Sequence, residues 1–404
     1  MLPGRFNLFF LSASTALATS QQGMDPKRGC EVINSTFTLN SQGFYDHLDP
    51  ENFTVATVVK SPYDGPSPVE LFNHPQSLPQ GSWNITLTTQ RAIEFINKAA
   101  DNGIGLLAFP EVWFPGYPFT MMSKPELSQS YIDNSLVEND SNWIALVNAI
   151  KKAGIYVAIG ASERIGDKLH MSQIFWSPEG EKLIHRQKLR ASEFERNLWS
   201  DGDVDGFKVV PTPYGRIGLL ECWEHLHAQM AFPMQAQLED IHIAMYPNIK
   251  SPYEPEDPDK ISHPFSSMAV NMAGVHIYSA TAKVWSVVSG MDGGIIMNPV
   301  GVIQALLPPP TNETYHGPTY LAHSINTTTF RQNRTYEIGV VLIVLRVSAS
   351  VASSSRSILR IGWLMTDISP NYASLGNRKE SFLEPAILVN GNMTRMEIEA
   401  KFTA

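Results

Sequence analysis

The sequence holds only two cysteines, Cys30 and Cys222, in 404 residues. At most one disulfide can form from them, so no disulfide framework holds this fold. An apolar core must do so, and a chain of this length that is 43% hydrophobic can build one large core or two smaller ones. Charge is also sparse: 17% of residues are charged and the formal net charge is -9. That balance gives no basic face for nucleic acid. There is no block of like charges, no internal repeat and no low-complexity tract. No apolar run is long enough to span a membrane, so no membrane span is expected.

The N-terminus carries a different signal. One positive side chain, Arg5, precedes a moderately apolar stretch from Phe6 to Ala18, which ends in the small-x-small step Ala16-Leu17-Ala18. This is the pattern of a secretory signal peptide over residues 1–18. Asn-x-Ser/Thr sequons stand at eight positions: Asn34, Asn52, Asn84, Asn139, Asn312, Asn326, Asn333 and Asn392. Chance would place roughly three. The expected protein is therefore secreted and glycosylated; the alternative is a cytoplasmic chain with a disordered leader.

Residues 19–52 show no period and read as an N-terminal extension. Phe53 to Lys60 is β-branched and reads as the first strand. Ser61 to Trp83 is a proline-rich loop, and Thr88 to Asn102 has helical apolar spacing. A buried strand, Ile104 to Glu111, leads into the aromatic loop Trp113 to Phe119. A helix over Ser141 to Ala153 and a strand over Ile155 to Ile159 follow. A hairpin is expected from Leu169 to Trp176 and Lys182 to Lys188, then a polar loop from Ala191 to Asp205. Phe207 to Val210 pairs with Arg216 to Leu220 around Pro213. Gly215 to Glu221 then runs as a short apolar strand, with a helix from Glu224 to about Leu238. Beyond it come a strand at Ile241 to Tyr246, a loop at Ser251 to Pro264, a helix over Phe265 to Ala273 and a strand over Val275 to Thr281. A last hairpin lies around Asn298 to Gly301. Strands alternating with helices, plus hairpins, predict an α/β chain with a mixed sheet.

Three reactive groups fall at expected strand ends: Glu111, Lys188 and Cys222. Each alone has a plainer reading, an exposed charge or an inert core thiol. Cys222, however, sits at a strand-to-helix corner, where free amides and a helix dipole would favour its thiolate.

Three motifs make the chain resemble the nitrilase branch of the carbon–nitrogen hydrolase superfamily. They are Phe109-Pro-Glu-Val-Trp-Phe-Pro-Gly-Tyr-Pro118, then His185-Arg-Gln-Lys-Leu189 with Glu195-Arg196 and Trp199-x-x-Gly-Asp203, and Gly215-Arg-Ile-Gly-Leu-Leu-Glu-Cys-Trp-Glu-His225. Cys222-Trp-Glu-His225, with Gln237-x-Glu239-x-Ile241-His-Ile-Ala244, further resembles the fungal cyanide-degrading and related nitrilases. The resemblance implies a four-layer α-β-β-α sandwich over residues 53–310. It implies a catalytic set of Glu111, Lys188 and Cys222 joined by Glu195, with Tyr117, Trp223, Glu224 and His225 on the substrate. It implies no metal and no cofactor, a small-molecule nitrile as substrate, and a homo-oligomer. The activity implied is nitrile hydrolysis to acid and ammonia; cyanide hydration or amide hydrolysis would use the same residues. A weakly active secreted binding or assembly protein is the alternative of another class.

Past Pro308 the resemblance fades, and Asp367-Ile-Ser-Pro-Asn-Tyr372 is at best a degraded family stretch. Residues 311–404 are expected to be a divergent tail, either an oligomerisation element built on strands such as Val340 to Leu345 or the product of a mis-drawn gene.

Expression in a eukaryotic host tests the secretion reading. The mature chain should begin near Thr19 and should migrate faster after enzymatic deglycosylation. A chain that keeps Met1 and does not change mobility would refute it.

Overall fold

The computed structural model describes residues 51–62, 83–118, 128–235, 237–249, 256, 267–291, 293–307, 320–327, 343–346, 358–363 and 386–389. The expected leader at 1–18, nearly all of the extension, the loops at 63–82 and 251–255 and the Asp367–Tyr372 stretch lie outside the described residues.

Two six-stranded sheets carry the fold. The first contains β1 (Phe53–Val58), β2 (Leu106–Ala108), β3 (Tyr156–Ile165), β4 (Lys168–Trp176), β5 (Lys182–Gln187) and β12 (Tyr320–Ile325), in the order β12-β1-β2-β3-β4-β5. The second contains β6 (Val209–Thr212), β7 (Gly215–Glu221), β8 (Ile241–Asn248), β9 (Trp285–Met291), β10 (Gly293–Met297) and β11 (Ile303–Leu307), in the order β11-β10-β9-β8-β7-β6. Both sheets are mixed: β1, β2 and β3 are parallel, as are β7, β8 and β9, with antiparallel strands at each flank.

Strand alternation assigns the faces. Phe53, Val55, Leu106, Ala108 and Phe175 of the first sheet meet Ile217, Leu219, Ile241, Ile243 and Val287 of the second in one buried layer. The other face of the first sheet packs on α1 (Ile85–Asp101) and α3 (Ser141–Ala153) through Ala92, Phe95, Ile96, Trp143, Leu146 and Ile150. The short α2 (Ser128–Asp133) adds Tyr131 to that cluster. The outer face of the second sheet packs on α4 (Ala228–Gln235) and α5 (Met268–Ala282). The layers are helix, sheet, sheet, helix, the α-β-β-α sandwich that the motifs implied. Local chemistry sets the helix ends: Asn84, Asp140 and Ser267 accept from Leu87, Trp143 and Val270 amides as N-caps, and Gly154 ends α3 in the left-handed region.

Four sequence expectations change. Val275 to Thr281 is helix, not strand. Its β-branched and aromatic residues favour a strand locally, but Met268, Met272, Val275, Ser279 and Ala282 are buried at helical spacing, and that packing decides. The strand β9 was not anticipated. The expected helix from Glu224 splits into a single 3-10 turn, Cys222–His225, and α4. The strand carrying Glu111 stops at Ala108, because Pro110 has no amide to continue the ladder. In addition β12, beyond the expected boundary at 310, pairs antiparallel with β1 over its whole length. Farther along, β13 (Ile343–Arg346), β14 (Ile358–Trp363) and β15 (Ala386–Val389) form a separate antiparallel sheet.

The loop after β2 docks on β3: Phe109 N–H donates to Ala158 O (2.8 Å) and Ser162 N–H to Phe114 O (2.7 Å). Gly160 allows that approach, since a Cβ there would lie 2.4 Å from Pro110 O and 2.8 Å from Glu111 Cα. Gly160→Ala should therefore cost about 1–3 kcal/mol of stability, read as a lower urea midpoint at unchanged slope, and should lower activity by displacing Glu111.

Candidate active site

Glu111 follows β2, Lys188 follows β5 and Cys222 follows β7. In the first sheet β5 runs in the same sense as β2, since two antiparallel steps separate it from the parallel pair β2–β3. Glu111 and Lys188 therefore emerge at one edge. The second sheet presents Cys222 to the same place, and Glu111 N–H donates across to Tyr246 O of β8 (3.2 Å).

Lys188 is the centre of this cluster. Its ammonium donates to Glu111 Oε1 (2.7 Å) and Glu195 Oε2 (2.9 Å), all three groups being buried. Glu195, on the 3-10 turn Glu193–Asn197, also accepts from the Tyr117 hydroxyl (2.6 Å) and from the Ser192 N–H (2.6 Å). Glu111 Oε2 is buried and has no hydrogen-bond partner. Burial alone would lower the Lys188 pKa, but Glu111 and Glu195 outweigh it and hold it well above the usual lysine range. Burial pushes Glu111 up to about 8, with Lys188 opposing and Glu195 adding to the rise.

Cys222 opens the turn after β7 with φ 42, a left-handed backbone that costs a non-glycine residue about 1–3 kcal/mol. Glu224 braces that turn. Its carboxylate accepts from Arg186 Nη1 (2.9 Å) and Nη2 (2.6 Å), from the Leu189 N–H (2.9 Å) and from the Glu221 N–H (2.8 Å). Arg186 also donates to Gln173 Oε1. Burial would raise the Glu224 pKa, but Arg186 and these amides win and hold it below the usual carboxylate value.

One electrostatic expectation is overturned. The Cys222 thiol is pushed well above its ordinary pKa, first by burial and then by the charge of Glu111, with Lys188 only partly opposing. A single 3-10 turn supplies too few aligned amides for the dipole effect expected from a full helix. The resting group is a thiol.

The carbon–nitrogen hydrolase family model matches residues 75–314, more than half of the chain. The chain belongs to that family. A nitrilase of Talaromyces marneffei is 36% identical over 181 residues, 43% of this chain and 55% of that protein. A cyanide hydratase of Stereum hirsutum is 37% identical over 195 residues, 46% and 53% of the two chains. An aliphatic nitrilase of Rhodococcus rhodochrous is 33% identical over 177 residues, 42% and 48%. The chain spans about half the length of the curated relatives it matches.

Within this carbon–nitrogen hydrolase the expected substrate residues separate. Trp223 lines a cleft of about 190 Å³ with Arg190, Glu193, Arg196, His227 and Met230, and its Nε1–H donates to Asn271 Oδ1 (2.7 Å). Glu224 adds to that wall, yet both carboxylate oxygens are taken up by Arg186 and backbone amides, so it acts as a brace. His225 does not line the cleft; it is buried behind the nucleophile, against His242, Tyr246 and Tyr278. Tyr117 holds Glu195. Sequence reading missed Arg186, Gln173 and Glu221. A signal existed for Arg186, two residues after Ile184 on the inward face of β5. Glu221, on the face shared by Ile217 and Leu219, is fully buried with both oxygens unpartnered. Burial and then Glu111 push its pKa well up from the usual carboxylate value.

Removing one partner of a buried ion pair strands the other charge. Glu224→Ala should cost about 3–5 kcal/mol, whereas Arg186→Met with Glu224→Leu in one chain should cost clearly less. Chemical denaturation of the three proteins measures this, and equal losses would refute the brace.

Proposed function

We propose that this chain hydrolyses an organic nitrile to a carboxylic acid and ammonia, with Cys222 as nucleophile. The observation that carries the reading is the buried ammonium of Lys188 held between Glu111 and Glu195 beside a thiol at a strained turn. The similarity to nitrilases and cyanide hydratases supports it.

Glu111, through its unpartnered Oε2, takes the thiol proton as sulfur attacks the nitrile carbon. One C–N π bond breaks as the C–S bond forms. Lys188 stabilises the negative charge that grows on nitrogen, and the proton on Glu111 passes to it to give a thioimidate. Glu111, again a carboxylate, deprotonates a water that adds to the same carbon. The water proton passes from Glu111 to the nitrogen, the new hydroxyl gives up its own proton to that nitrogen by the same carboxylate, and the C–N bond breaks to release ammonia and leave a thioester. A second water, activated in the same way, releases the acid and returns the thiol. If sulfur leaves first from the tetrahedral species, the product is the amide; a cyanide hydratase or an amidase would run part of this cycle with the same groups.

We further read the protein as secreted, glycosylated and homo-oligomeric. Exposure of Asn52, Asn84 and Asn139 supports glycan attachment at those sequons, and strands in the tail offer edges for self-association.

Ammonia, acid and amide should be quantified over a panel of nitriles, cyanide and amides. Cys222→Ala should abolish turnover. The base works only when ionised, and below about 8 Glu111 is mostly protonated. The kcat/KM of the native protein should therefore rise with pH through about 8, and below that should fall about tenfold per pH unit. A profile flat from pH 6 to 9, or an active Cys222→Ala, would overturn the assignment.

A further inference from the structure

Behind the nucleophile runs a continuous chain of buried polar groups that the mechanism above leaves unused. His225 Nδ1 lies 2.7 Å from the carbonyl oxygen of Cys222. Its Nε2 lies 2.9 Å from His242 Nε2. His242 Nδ1 lies 3.1 Å from each carboxylate oxygen of Glu239, and the Tyr278 hydroxyl donates to Glu239 Oε2 (2.5 Å). His242 and Glu239 are fully buried and His225 nearly so. We propose that Glu239 and His242 are positioning residues for the nucleophile: through His225 they hold the Cys222 carbonyl, and with it the strained turn that presents the thiol.

Proton bookkeeping makes the chain directional. A carbonyl oxygen only accepts, so His225 must carry a proton on Nδ1. Burial and then His242 push the His225 pKa well below its ordinary value, so His225 is neutral and its Nε2 is a lone pair. His242 must therefore donate from Nε2. Glu239 holds the His242 ring by Nδ1, so that His242 Nε2 faces His225 Nε2 and His225 Nδ1 faces the Cys222 carbonyl.

The surroundings leave little room for an alternative. Tyr278 stacks on His242 with centroids 4.0 Å apart, and Tyr246 stacks on His225 at 5.6 Å. The positive charges felt by His225 are Arg186 and Lys188, which also disfavour its protonation. Gly218 of β7 makes space for the acid, since a Cβ there would lie 1.7 Å from Glu239 Oε1. Glu239 is thus seated against the strand that ends at Cys222. The His225 ring thus adds a side-chain restraint on the Cys222 carbonyl, which opposes the cost of a φ of 42.

The proposal rests on Cys222 being the nucleophile, so the test includes measurements that need no nitrile. Nitrogen-15 imidazole shifts in the native full-length protein should place the His225 proton on Nδ1 and a His242 proton on Nε2. A His225 protonated on Nε2 alone would overturn the proposal without any variant. Glu239→Leu should release the His242 ring, change the His225 imidazole shifts and slow Cys222 alkylation by iodoacetamide about tenfold. It should lower kcat by up to about 100-fold with KM little changed, as displacement of a reacting group does. Glu239→Gln can donate from its amide to His242 Nδ1 and accept from Tyr278, so it should restore the native His225 shifts and most of both rates. It also serves if Glu239→Leu fails to fold. Unchanged alkylation and kcat in Glu239→Leu, or Glu239→Gln no better than Glu239→Leu, would defeat the proposal. Native protein that shows the expected tautomers and rapid Cys222 alkylation, but turns over no nitrile, would defeat the functional reading and leave this inference standing.

Discussion

The site depends on one ammonium removed from water. Lys188 is buried at the meeting of two sheets, and a lone charge there would cost several kcal/mol. Two carboxylates surround it, one more negative charge than the ammonium cancels. The hydrogen bonds decide where the imbalance falls. Glu195 receives three donors, from Lys188, Tyr117 and the Ser192 amide. Glu111 receives the lysine on one oxygen and nothing on the other. Glu111 is therefore the group left to bind a proton; burial above all raises it to about 8, with Lys188 opposing and Glu195 adding to the rise. A base with free proton-accepting capacity, beside a fixed cation, is what the proposed thiol attack on a C≡N bond would require.

The same meeting of sheets explains why so much polarity is buried. The apolar layer between the sheets stops short of this edge, and Arg186, Glu224, Gln173 and Glu221 continue it. The Arg186–Glu224 pair joins the last residues of β5 to the turn after β7, and Glu224 also takes the Leu189 amide just beyond Lys188. One carboxylate thus fixes the distance between the lysine strand and the cysteine turn. Apolar contacts are tolerant of small slides, whereas a bidentate pair with two further amides is not. The functional geometry follows from that intolerance.

Half of the strained non-glycine positions among the described residues, Asn139, Leu238 and Lys283, lie elsewhere, whereas the other half border the site: Val112, Glu193 and Cys222 adopt positive φ next to or within segments that supply a site residue. The surrounding structure holds these residues through close approaches that only glycine permits, at Gly160 beneath Glu111 and at Gly202, where a Cβ would lie 2.4 Å from Gln187 O. Such positions store a cost that the rest of the fold offsets.

Much of this was legible in the chain itself. Glu111, Lys188 and Cys222 stood out at expected strand ends in contiguous strings, and the resemblance to the family's motifs added Glu195 to them. The sheets were legible wherever period-2 burial was strong, as at Phe53, Val55 and Ile217, Leu219. What the sequence by itself determined was which candidate groups stand at strand ends and that the chain is α/β with mixed sheets, both functions of short-range pattern; the layered sandwich came from the family resemblance. Only the tertiary structure decided the rest. It made Val275 to Thr281 a helix, since packing on β8 and β9 outweighs local strand propensity. It turned Glu224 from a substrate contact into a brace and moved His225 behind the nucleophile, because their partners, Arg186 and His242, lie 38 and 17 residues away. It also set the proton on Cys222, since burial and the field of a charge brought from another sheet are properties of space that no local string records.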